Sequence, residues 1–110
     1  MKDVVIQDAI RNDPETLATV EQATQLLEAE LGSAASLVKA EWVSELDEHG
    51  RRVIALTLSD WTGAVGTRFG LEELKNQHQA QARLHALWGD LLQVRSHEQL
   101  KKLSELIKQL

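Results

Sequence analysis

The chain has 110 residues, no cysteine and a net charge of −5. That length reads as one domain, residues 1–110, with enough surface to bury for a core without covalent staples. The missing cysteine excludes disulfides, thiolate nucleophiles and cysteine-ligated zinc. A hydrophobic share of 43% and a charged share of 26% argue against disorder.

The charge is unevenly spread. Residues 1–50 carry 11 acids against 3 bases, and residues 51–110 carry 6 acids against 9 bases. The halves therefore stand at −8 and +3. An acidic half argues against general nucleic-acid binding, whose affinity comes from neutralising phosphates. "MKDVVIQDAIRND" has acids where a secretory leader needs bases and a long apolar run. No apolar run approaches the ~18 residues of a membrane span. The expectation is a cytoplasmic chain that binds neither nucleic acid nor membrane.

"DVVIQDAI" reads as a short helix, with Ile6, Ala9 and Ile10 on one side and an edge strand as the alternative. "NDPETLATVEQATQLLEAELG" is a clear helix. Asp13 suits the N-cap and Pro14 the first helical position. Leu17, Val20, Thr24, Leu27 and Leu31 recur at helical spacing, and Gly32 suits a left-handed end. "SLVKAEWVSELD" then alternates, with Val38, Ala40, Trp42 and Leu46 against Lys39, Glu41, Glu45 and Asp47. "RRVIALTLS" puts Ile54, Leu56 and Leu58 on one side, and "AVGTRF" makes a third strand.

"LEELKN" is a turn of helix, and "HQAQARLHALWGDLLQV" carries the stripe Leu84, Leu87, Trp88, Leu91 and Val94. Gly89 inside it costs about 1 kcal/mol relative to alanine and leaves room for a neighbour beside Trp88. Ser96 with Gln99 three residues on reads as a capping box opening a last helix. That helix carries Leu100, Leu103, Ile107 and Leu110 at heptad-like spacing. The fold class is therefore α+β: a three-stranded antiparallel meander with helices packed on one face, in the order α-β-β-β-α-α. Its core centres on Trp42, Leu56, Leu58, Leu87, Trp88 and Leu91.

"SDWTGAVGTRFG" is the stretch most like a site, with three glycines, a carboxylate and an arginine. It lacks the lysine and the following helix of a phosphate loop. Its Asp60-Trp61-Thr62-Gly63 repeats the pattern of Asp47-Glu48-His49-Gly50, and both fit a type I turn closed by a left-handed glycine. Turn chemistry would then pair Asp60 with Ala64. The hydrophobic pattern demands a register shifted by one, which turns Val65 and Phe69 inward and Arg68 outward. The hydrophobic pattern is preferred, with Gly66 as a second bulge.

His78 and His85 lie seven apart, roughly 10.5 Å along a helix, too far to share a metal. Glu41 and Glu45 are about 13 Å apart on a strand, too far for a glycosidase pair. Ser59 beside Asp60 has no nucleophile elbow. No catalytic, cofactor or metal residue is assigned. The strand and helix order is shared with double-stranded-RNA-binding domains, but the helix after the sheet opens Leu71-Glu72-Glu73 where such domains carry lysines.

The leading expectation is a non-catalytic protein-interaction or self-association domain, with a homo-oligomer or a protein as partner. Its candidate contact residues are Trp61 and Arg68 on the hairpin and Leu103, Ile107 and Leu110 on the last helix. The alternative is a small-ligand or nucleotide-binding domain, or an enzyme, with a site near the Asp60–Arg68 hairpin.

Overall fold

The computed structural model describes residues 1 and 3–109. The chain forms β1 (Val4–Ile6), α1 (Asp8–Arg11), α2 (Pro14–Leu31), a 3-10 turn (Gly32–Leu37), β2 (Lys39–Leu46), β3 (Arg52–Asp60), β4 (Gly63–Gly70), α3 (Leu71–Lys75) and α4 (Gln77–Lys108). The class is α+β, as expected, but the sheet is mixed and has four strands in the order β1-β2-β3-β4.

The extra strand corrects the reading of the N-terminus as a helix. Val4, Val5 and Ile6 run parallel to Ala40, Glu41 and Trp42. The Ala40 amide donates to the Asp3 carbonyl and the Gln7 amide to the Trp42 carbonyl, at 2.9 and 3.0 Å. The Gln7 side chain extends the ladder by accepting from the Ser44 amide at 2.8 Å. Three β-branched residues are too few to show a period, so the partner strand decides their conformation. α1 and α2 form the crossover that a parallel pair requires.

α2 begins at Pro14 and ends at Gly32, as expected. Asp13 stands at its start, but its carboxylate accepts from the Thr16 hydroxyl and from Arg52, not from a helix amide. The first hairpin follows its turn chemistry. The Gly50 amide donates to the Asp47 carbonyl at 3.0 Å, and Gly50 takes φ 74°. The second does not, although its residues match. Asp60 pairs directly with Gly63, leaving Trp61 and Thr62 as a two-residue loop. The β3–β4 register then runs unbroken, with Ile54 opposite Phe69, Leu58 opposite Val65 and Thr57 opposite Gly66. The hydrophobic pattern wins over the turn pattern, and the bulge expected at Gly66 is not formed.

α4 corrects a second expectation. Ser96 and Gln99 lie inside one continuous helix, not at a cap. No proline or glycine separates Asp90 from Lys108, and a capping pair caps only where the chain before it leaves helical angles. The true cap is Asn76, whose side chain accepts from the Gln79 amide at 3.2 Å.

α2 and α4 cover one face of the sheet. Trp42, Ile54, Leu56, Leu58 and Phe69 meet Val20, Leu27, Leu84 and Leu91 there, all essentially inaccessible. The Trp42 and Phe69 rings lie 6.2 Å apart. Trp88, expected at the centre, is only half-buried at the margin. The core stripe of α4 ends near Val94, and the helix runs on past the sheet.

Candidate interaction surface

The β3–β4 hairpin is fastened to α4 at its tip. Strand alternation points Asp60 to the helical face with Leu58 and Leu56. Its side chain is inaccessible to solvent and accepts from the Arg95 guanidinium at 2.8 Å. The other carboxylate oxygen accepts from the Thr62 amide, at 2.8 Å, and from the Thr62 hydroxyl. Burial works against the charge on Asp60. The bonds from Thr62 and Arg95 outweigh it and hold the carboxyl below its ordinary value. Arg95 also lies over the Trp88 ring, 5.6 Å from its centre.

One residue further along the hairpin, Trp61 stands out from the body at 65% exposure. The Lys102 ammonium sits over its ring, 4.6 Å from the centre. At its tip the hairpin thus holds two cations of the helix, Arg95 on Asp60 and Lys102 over Trp61. Beyond Arg95, among the described residues, α4 meets the hairpin through Lys102 on Trp61. From Ser96 to Gln109 no side chain is buried.

That free length carries an apolar stripe. Leu103 and Ile107 are 54% and 61% exposed. Leu100 and Leu106 are exposed to a similar degree, and Leu92 begins the stripe one turn before Ser96. At 3.6 residues per turn the stripe is rotated roughly 120° from the core stripe of Leu84 and Leu91. A longer sheet would not cover it, because it faces another way.

The expected contact residues divide accordingly. Trp61, Leu103 and Ile107 lie at the hairpin–helix end. Leu110 lies outside the described residues. Arg68 is on the opposite face of the sheet, opposite Ala55 and paired with Glu45 at 3.1 Å. Asp60 and Arg68 therefore face opposite sides and do not converge on one hollow. Beside Arg68 a shallow depression of about 360 Å³ is lined by Glu45, Ala55, Thr57 and Gly66. Sequence reasoning missed Leu106 and Leu92, which fall on the stripe once α4 is a single helix. It also missed the Asp60–Arg95 pair, for which the local sequence holds no signal.

Among the described residues no group of three His, Asp or Glu side chains is placed to hold a metal ion. Nor is any helix among them long and apolar enough to cross a membrane. Set against protein-family models, curated proteins and solved structures, the chain matches none.

Proposed function

We propose that the protein is a non-catalytic self-association domain whose interface is the exposed stripe of α4. One observation carries this reading. From Ser96 to Lys108 the helix continues for roughly three and a half turns with no side chain buried, while displaying Leu100, Leu103, Leu106 and Ile107. Most helical stability in proteins comes from packing an apolar face, and this length of α4 packs none within its own chain. Leucines on its open side supply the support when another apolar surface covers them.

Two further features favour a second copy as that cover. Two-fold dimers are the commonest soluble oligomers. The charges along this length of α4 are mixed, Asp90, Glu98 and Glu105 with Arg95, Lys101, Lys102 and Lys108, and give two copies unlike charges to bring together. Sedimentation at micromolar concentration tests the reading: a mass of two chains is expected, and a mass of 12.3 kDa throughout would remove it.

A further inference from the structure

α2 and α4 lie side by side on the helical layer. Near the end of α2, Glu30 meets the His85 imidazole and shares a shallow hollow with His78 and Ala82. α2 stops at Leu31, whereas α4 continues to Lys108. Stepping along α4 by threes and fours carries this α2-facing flank from His85 through Gly89, Leu92 and Ser96. It then passes through Leu100, Leu103 and Ile107. The uncovered leucines therefore continue the flank that starts at His85, at the margin of α2, where His78, Ala82 and His85 are themselves exposed.

The flank changes in size along its length. Near the end of α2 it is open at two positions, Gly89 and Ser96, on either side of Leu92. Toward the C-terminus it is bulky. Gly89 is not explained within the chain: a Cβ added there would meet nothing within 4 Å. A helix-weakening glycine beside open space makes physical sense when a side chain from outside approaches it. The same sequence run in the opposite direction provides one, since it sets the bulky end against the small end.

We infer that two copies pair through antiparallel α4 segments about a two-fold axis near residue 98, each Ile107 packing over the partner's Gly89. This rests on the self-association reading above and adds its geometry. Leu100 then meets the partner's Ser96. Lys108 arrives beside the partner's Asp90 and toward the C-terminal end of its α2, where Glu30 and the helix dipole favour a cation. Burying the stripe in both copies, with Trp61 at its margin, removes on the order of 1,000 Å² from water, the lower bound of a specific interface.

Two variants test the arrangement. Gly89→Leu meets open space in its own chain and favours the helix, so its circular dichroism and melting should show a folded monomer. Its dimer dissociation constant should rise at least tenfold. The chain has no cysteine, so single cysteines report distances directly. Gln99 lies roughly 3 Å along the axis from its twin in the antiparallel pair, and Leu106 roughly 24 Å. Gln99→Cys should cross-link on mild oxidation and Leu106→Cys should not, in variants that sediment as the wild type does. A Gly89→Leu dimer as tight as wild type, or equal cross-linking at both positions, overturns the antiparallel pairing and leaves self-association standing. A wild-type chain that sediments as a monomer removes both.

Discussion

Asp60 and Arg95 join the tip of the β3–β4 hairpin to the middle of α4 across 35 positions of sequence, their charged atoms 2.8 Å apart. The pair marks the end of the length over which α4 carries buried side chains. Before it the helix packs on the sheet. After it the helix touches the body through Lys102 on Trp61.

Removing either partner leaves the other side chain with an unmet charge. Arg95→Ala should lower stability by about 1–3 kcal/mol, the usual loss for a charged hydrogen bond taken from a shielded acceptor. Urea unfolding at neutral pH measures it. A change within a few tenths of a kcal/mol would mean that Thr62 alone satisfies Asp60.

The same carboxylate predicts a pH response. Asp60 is held below its ordinary value, as is Glu73, which accepts from the Gly70 amide and pairs with Arg83. A lowered native pKa means the unfolded state binds the proton more readily, so stability rises with pH across that window. The contribution is full above the unfolded carboxyl value, about 4. It is lost as pH falls through the lower native values. Arg95→Ala should show a shallower acid limb than wild type in unfolding midpoints taken from pH 6 down to pH 3.

Two hairpin glycines should respond differently to alanine. At Gly50 the left-handed φ of 74° is the whole obstacle, because space there is open. A loss of about 1 kcal/mol is expected. At Gly63 the φ of 156° is joined by a clash, since a Cβ would lie 2.9 Å from the Val94 side chain. Gly63→Ala should cost about as much or more, and should disturb the hairpin's seat on α4. Equal melting midpoints for Gly63→Ala and wild type would place Val94 away from the turn.

Leu56 on the sheet and Leu91 on α4 belong to one core and are wholly buried. Replacing either by alanine should cost about 2–5 kcal/mol, as cavities in rigid cores do. Losses well under that range at both positions would show a core that collapses around the gap.

Much of this architecture can be read from the residues. Asp13-Pro14 and Gly32 mark the ends of α2, and the period-two placing of the larger apolar residues marks β2 and β3. The register of β4 follows from the need to bury Phe69 and Val65, and it turns Arg68 outward as that pattern requires. What escapes sequence reading depends on distant partners. Val4–Ile6 becomes a strand because β2 offers an edge. Asp60-Trp61-Thr62-Gly63 abandons its preferred turn because the core fixes the register first. Ser96 and Gln99 imitate a helix start inside a helix, which hid the continuity of α4 and with it Leu106 and Leu92.

The central claim is that α4 beyond Arg95 serves association and not folding. Leu103→Asp places a charge on the stripe at a position already 54% exposed, so the fold should survive it. Sedimentation velocity on wild type and Leu103→Asp across the micromolar range is the most direct measurement. The account predicts a dimer for wild type and a folded 12.3 kDa monomer for the variant. A wild-type mass of 12.3 kDa throughout, or an undiminished dimer in Leu103→Asp, would contradict it.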